Sequence, residues 1–391
     1  MGELRAGGGA WAERDAYSED HREFGETVAS FVRREVVPHQ DAWEEAGAVD
    51  RAAYRAAGDA GLVGLAIPEE FGGSGAPFSF NCVVTEQVAY ALASFGALRV
   101  HMDVVVPYIT AYADQAQKER WLPGMAEGSL MASIAMTEPA AGSDLAGIRT
   151  SLRRADGGWR LSGSKTFITG GTQSDLVIVV ARSSTDGDRR AGLTLAVVEE
   201  GTAGFTRGPA QRKLGLHAQD ISDLFFDDVW IPDENVLGEP GAAFDYLSGN
   251  LAQERLSIAV NSQAQAVAAL DITLDHVRSR DMFGKTLGSF QNTKFVLADL
   301  AARIAAGQAL VDRAIRTHDA DELDAAEAAK VKLYTTETHG QVADACLQFF
   351  GGYGYMQEQS IAKLYADARV ARIYGGTSEV MKTIIAKSLG L

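Results

Sequence analysis

Apolar residues recur along this chain in three successive rhythms. From about Ser18 to Gly128 they fall at helical intervals, with Phe24, Val28, Phe31 and Val32 on one face. Pro38, Gly61 and the loop PEEFGGSG punctuate that region. From Met131 to Gly238 the period shortens. LVIVVAR (Leu176–Arg182) and LTLAVVEE (Leu193–Glu200) predict strands, and Asp156-Gly157-Gly158 predicts a hairpin turn. Leu224, Phe225 and Phe226, followed by Val229 and Ile231, predict another strand that stops at Pro232. From Gly241 the helical pattern returns and runs to the end. The order helical, β, helical predicts an α+β fold with domains at 1–130, 131–239 and 240–391.

Composition narrows the function classes. With 36 basic and 52 acidic residues the net charge is −16, and no basic stripe is present, which argues against nucleic acid or an anionic membrane as partner. No apolar run approaches the ~20 residues that span a bilayer. Cys82 and Cys346 lie far apart in apolar surroundings and read as free buried thiols. The seven histidines never take a metal-ligand spacing, so no metal is expected. The N-terminus MGELRAGGGAWAERD has no apolar signal core, and Ala6 stands where a myristoylation signal needs Ser or Thr. A soluble cytoplasmic protein is expected.

Five stretches carry candidate chemistry. RIYGGTSEVMKTIIA (Arg372–Ala386) places two glycines before a helix start, where N–H groups are free to meet an anion or a carbonyl. It offers no catalytic side chain at its tightest point. MTEPAAGSD (Met136–Asp144) reads as an ordinary turn or as a loop giving hydroxyls and N–H groups to a polar ligand. In GSKTFITGG (Gly163–Gly171), Phe167 is either a buried strand residue or a ring stacked on a flat cofactor. LQFFGGYGY (Leu347–Tyr355) allows close backbone approach but is not a strand-then-GxGxxG nucleotide site. In NLAQERLSIAV (Asn250–Val260), Glu254 falls on the apolar stripe of Leu247, Leu251 and Ile258, with no cation three or four residues away. It either finds a partner on another element or stays desolvated, with the raised pKa a general base needs.

In this order and spacing the five stretches resemble the acyl-CoA dehydrogenase family, and the likeness covers essentially the whole chain. KLGLHAQDISDLFFDDVWIP (Lys213–Pro232), PYITAYADQAQKERWLPGM (Pro107–Met125), AQERL and IYGGTSE look like its long-chain branch. The resemblance implies an N-terminal helical domain, a β-barrel-like central domain and a C-terminal four-helix bundle around FAD and an acyl-CoA. Many members carry the catalytic glutamate after the Tyr of the C-terminal motif, where this chain has Gly375; long-chain and isovaleryl-type members take it from the helix that here carries Glu254. Met136, Thr137, Gly142 and Ser143 would line the flavin, with Ser143 also near the substrate. Phe167, Ile168 and Thr169 would cover its ring, and Thr377, Ser378 and Glu379 would complete the site. Arg280, Phe283, Gln291, Gln348, Gly351 and Gly352 would hold the pyrophosphate and adenosine of a neighbouring subunit's FAD, implying a tetramer built as a dimer of dimers. Arg255, Gly375 and Gly376 would meet the substrate.

The departures are Gly170 in place of a common Asn and Glu379 in place of a common Gln or Asn. The implied reaction is α,β-dehydrogenation of a medium- to long-chain acyl-CoA to the trans-2-enoyl-CoA, with electrons passed to electron-transferring flavoprotein. The same chemistry on a carrier-protein thioester, a flavin monooxygenase and a non-catalytic acyl-CoA-binding flavoprotein remain as alternatives.

Overall fold

The computed structural model describes residues 14–185 and 189–391; the glycine-rich N-terminal stretch and Ala6 lie outside them. The first region is helical, with its main helices at Glu19–Phe31, Gln40–Ala46, Arg51–Asp59, Phe78–Tyr90, Val106–Tyr112 and Gln115–Ala126. Val28, Phe31 and Val32 of the expected apolar face pack against Trp43, Tyr54 and Val84, while Phe24 is only partly buried at the edge. Polar caps set the boundaries. The Asp50 carboxylate accepts from the Ala52 N–H at 3.0 Å, and Asp114 and Gln117 form a reciprocal capping box.

Eight strands follow: β1 (Ala132–Ala135), β2 (Ser151–Ala155), β3 (Gly158–Thr169), β4 (Leu176–Arg182), β5 (Leu193–Glu199), β6 (Phe205–Arg207), β7 (Ile221–Pro232) and β8 (Val236–Leu237). They form one mixed sheet in the order β6-β7-β3-β2-β4-β5-β8, with β1 parallel to β4. The unbroken apolar runs of β4 and β5 have a simple cause: both faces of these strands are covered. Ile178, Val180, Leu195 and Val197 meet Trp121, Leu122 and Leu247 from the helical regions. Val177, Val179, Ala196 and Val198 face Leu161, Leu224 and Val229 of the other strands. Asp156-Gly157 is the two-residue turn between β2 and β3, with Gly157 at φ +72°.

The last region holds long helices at Ala243–Ser279, Gln291–Asp319 and Ala325–Phe349, then two short ones at Ser360–Ala371 and Ser378–Ser388. The side of the bundle after the third long helix is thus made in two pieces, separated by Arg372–Thr377. Helix Phe78–Tyr90 ties the two helical regions together, since Phe78 and Cys82 pack with Leu256, Ala259 and Val260. Arg14 adds a buried ionic link by reaching both Glu86 and Asp312. Cys82 and Cys346 are free and buried. Among the described residues, no helix is long and apolar enough to cross a membrane.

Candidate active site

Glu254 is 7% exposed within helix Ala243–Ser279. Its partner comes from another element and is uncharged: the Tyr108 hydroxyl, on helix Val106–Tyr112, donates to Glu254 Oε1 at 3.0 Å. Burial pushes the Glu254 carboxyl up to about 7, outweighing the lowering effects of the Tyr108 bond and the Arg255 charge. An acid with a pKa at neutrality is poised to accept a proton.

The glycine pair beside it is held by two cations. Arg255 places its Nε 3.5 Å from the Gly375 carbonyl oxygen, and the buried Lys332 ammonium donates to the Gly376 carbonyl oxygen at 2.6 Å. Burial and the charge of Arg255 push Lys332 down to about 8. With both carbonyls drawn aside, the N–H groups of Gly375 and Gly376 have no hydrogen-bond acceptor among the described residues, and both residues line the cleft. Gly375 has φ +62°, and a Cβ there would come within 2.3 Å of Ile258 Cδ1. Gly375, without a side chain, and the Glu254 carboxylate thus line the same cleft.

Across the cleft, a buried ion pair braces the loop that begins at Met136. Lys165, fully buried on β3, donates to Glu138 Oε1 at 2.8 Å and to the Met136 carbonyl oxygen at 3.0 Å. Glu138 also accepts from the N–H groups of Arg149 and Thr150, each at 2.8 Å. Burial raises the Glu138 carboxyl, but the Lys165 bond and charge and these donors outweigh it and hold it below its usual range. Phe167 then emerges from β3, in a register slip against β7, at φ +58° and 64% exposed. The buried-strand reading of Phe167 is thus overturned. A bulky residue in this conformation costs about 1–2 kcal/mol, and such strain concentrates at functional sites.

The cleft has about 290 Å³ of room. It brings together Met136, Thr137, Gly142, Ser143, Phe167, Ile168, Thr169, Glu254, Arg255, Gly375 and Gly376. A second cleft, of about 550 Å³, gathers Arg280, Gln348, Gly351 and Gly352. Phe283, at φ +51° and 87% exposed, tips the adjoining hairpin Asp281–Thr286, and Gln291 starts the next helix in an exposed position. Thr377, Ser378 and Glu379 are not among the residues lining either cleft. Thr377 caps the last helix, accepting from the Val380 N–H at 3.4 Å, and the Ser378 hydroxyl donates to Glu337 Oε1 at 2.6 Å. Glu379 is exposed on the first turn.

Sequence reasoning missed Tyr108, Glu138, Lys165 and Lys332. The first three lie inside stretches already singled out, where a charged or phenolic side chain among apolar neighbours was the available signal. Lys332 sits in an unremarkable helix and gave none.

Models of the acyl-CoA dehydrogenase N-terminal, middle and C-terminal domains match residues 18–129, 133–229 and 242–390. The long-chain specific acyl-CoA dehydrogenase of rat mitochondria is 42% identical over 377 residues, covering 96% of this chain and 88% of that protein. The chain belongs to the acyl-CoA dehydrogenase family. As a member it is a flavin-dependent oxidoreductase with FAD as its cofactor. Among solved structures, an acyl-CoA dehydrogenase from Geobacillus kaustophilus superposes with a TM-score of 0.94 at 39% identity, covering 97% of this chain and all of that one. A glutaryl-CoA dehydrogenase from Mycobacterium smegmatis in complex with FADH2 superposes at 0.88 with 27% identity, covering 96% and 95%.

The first cleft suits a flavin in this family member. An exposed aromatic ring is fixed beside it at Phe167, and among the described residues nothing beyond its own chain neighbours lies within 4 Å of where a Cβ on Gly142 would stand. Tyr108 has a testable consequence for the chemistry there. Its hydrogen bond favours the ionised form of Glu254, so Tyr108→Phe raises the carboxyl above 7. Flavin reduction by substrate then slows at pH 7 and recovers at higher pH, which stopped-flow absorbance across pH reads directly. An unshifted acid limb removes Tyr108 from this role.

Proposed function

We propose that this enzyme dehydrogenates a medium- to long-chain acyl-CoA at the α,β positions, with Glu254 as the base. The observation that carries the proposal is a single cleft holding a buried carboxyl pushed up to about 7, two unpaired backbone N–H groups and the exposed Phe167 ring. An α-proton is far too weak an acid for a carboxylate unless the charge developing on the thioester oxygen is stabilised. The N–H groups of Gly375 and Gly376 are the donors for that oxygen, each typically worth ~10²–10³ in rate. Glu254 takes the α-proton, contributing roughly 10²–10⁴. FAD, when bound, supplies the acceptor for the hydride that leaves the β-carbon, and the product is the trans-2-enoyl-CoA.

Met136, Thr137, Gly142, Ser143, Phe167, Ile168 and Thr169 would hold the flavin ring and its near linkage, with Thr377, Ser378 and Glu379 at the adjoining helix start. Arg255 and Lys332 act through the glycine pair by keeping its carbonyls turned away. Arg280, Phe283, Gln291, Gln348, Gly351 and Gly352 would serve the adenosine half of a neighbour's FAD in a tetramer. The 87% exposed Phe283 and 86% exposed Tyr355 on that side support such an assembly. Electron-transferring flavoprotein is the proposed electron acceptor and the cytoplasm the proposed location.

Anaerobic mixing of the yellow holoenzyme with acyl-CoA thioesters tests the reading. Bleaching of the flavin by at least one thioester, with formation of the 2-enoyl product, is expected. A flavin that no acyl thioester bleaches would reject it.

A further inference from the structure

Beyond Glu254 the cleft wall is made of Val100, Val104, Leu251 and Ile258, side chains suited to an alkyl chain. Besides Arg255, which holds the Gly375 carbonyl, a second cation lines it. Arg99 donates to the Ser257 hydroxyl at 3.1 Å and to the Tyr374 hydroxyl at 3.2 Å, with its guanidinium 5.7 Å from the centre of the Tyr374 ring. Both partners are neutral, and among the described residues no carboxylate lies within ion-pair distance of Arg99. Asp103 is reached only through Ser257, whose hydroxyl donates to Asp103 Oδ2 at 2.5 Å. That carboxylate is 2% exposed and is also bonded by Asn81; burial pushes it up, against the lowering effects of the Ser257 bond, the Arg99 charge and the Asn81 bond, so it answers Arg99 at a distance and not in direct contact. Ser257 follows Glu254 by three residues on one helix, so the hydroxyl that meets the cation lies on the same face about 4.5 Å farther along the axis.

A second, independent feature lies behind Arg99 and Tyr374. A chamber of about 60 Å³ shares these two residues with the cleft. Its other lining mixes polar Thr85, Ser94, Gln219 and Gln265 with the Asp103 carboxylate and with apolar side chains such as Phe95 and Met102. A space of that size takes a few waters or a carboxylate, but not the tail of a long alkyl chain. A half-buried guanidinium whose direct partners are neutral hydroxyls, with its nearest carboxylate one hydroxyl away, can still take an anion that arrives with the ligand on its planar fork of donors.

We propose that the acyl group ends in a carboxylate held by Arg99 and Tyr374, so that the substrate is the CoA monothioester of a dicarboxylic acid. This rests on the dehydrogenation reading above and narrows its substrate class.

Matched thioesters test it on the FAD holoenzyme: hexanoyl- and octanoyl-CoA against adipyl- and suberyl-CoA. Two readouts are taken, anaerobic flavin bleaching and the dissociation constants of the corresponding 2-enoyl-CoA products from their effect on the flavin spectrum. The terminal carboxylate is expected to lower the half-saturating concentration about 10–100-fold, the range of a hydrogen bond to a charged group. Arg99→Met inverts the preference, Arg99→Lys keeps part of it, and Tyr374→Phe weakens it without inverting it. FAD content of each variant reports folding. Equal handling of matched pairs by the unaltered enzyme, or an unchanged preference in both Arg99→Met and Tyr374→Phe, overturns the proposal. If nothing bleaches the flavin while the carboxylated products still bind more tightly, the dehydrogenation reading fails and the carboxylate site stands.

Discussion

Glu254→Gln yields a yellow protein that still binds acyl-CoA but whose flavin is reduced at least ~10²–10⁴ more slowly. The substitution keeps volume and polarity and removes only the proton acceptor, and the Tyr108 hydroxyl can still donate to the amide oxygen. The unaltered enzyme has its own signature. Its carboxyl is pushed up to about 7 and works only when ionised, so reduction slows as pH falls through 7 and levels off above it. In the glutamine variant that limb is absent. Full activity in Glu254→Gln, measured by stopped-flow bleaching, would transfer the role of base to another acid.

Moving the carboxylate is the sterner experiment. Glu254→Gly with Gly375→Glu returns the acid to the position used by many relatives, but position 375 has φ +62° and its Cβ would meet Ile258 Cδ1 at 2.3 Å. The left-handed backbone costs about 1–2 kcal/mol for a non-glycine residue. Rescue by the double variant is therefore weak, and adding Ile258→Ala improves it by clearing the space.

The second large effect lies across the cleft. Lys165→Met leaves Glu138 buried with its backbone donors but without its counter-charge, and breaking a buried pair in this way typically costs about 3–5 kcal/mol. The loop from Met136 to Ser143 also loses the bond from Lys165 to the Met136 carbonyl. Reduced FAD retention on gel filtration and a lower melting temperature are expected together. The pair Lys165→Met with Glu138→Leu should recover part of the melting temperature, because no uncompensated charge then remains. Wild-type melting and wild-type FAD content in Lys165→Met would show that this ion pair does not brace the flavin side of the cleft.

Much of this was legible in the chain itself. The rhythm of apolar positions located the helical, β and helical regions, because burial imposes a period of 3.6 on helices and 2 on strands. It even placed β4 at Leu176–Arg182 and the β2–β3 turn at Asp156-Gly157, since a continuous β-branched run and an Asp-Gly pair leave few alternatives. Glu254 was legible as an anomaly, a charge on an apolar stripe, and Gly375 as an absence.

The partners of those residues were decided only by tertiary structure. Tyr108 is 146 residues from Glu254 and Lys332 is 44 from Gly376, separations at which no local pattern couples two side chains. The strand pattern alone left Phe167 open for a related reason. Period-2 alternation reports which face a residue occupies in a regular strand, and the register slip between β3 and β7 breaks that relation at the one residue it turns outward. No sequence pattern singles out Arg99. Packing is what sets its guanidinium on the cleft against two neutral hydroxyls, with the Asp103 carboxylate beyond Ser257. Sequence determines which groups exist and which elements carry them, and the fold determines which of those groups meet.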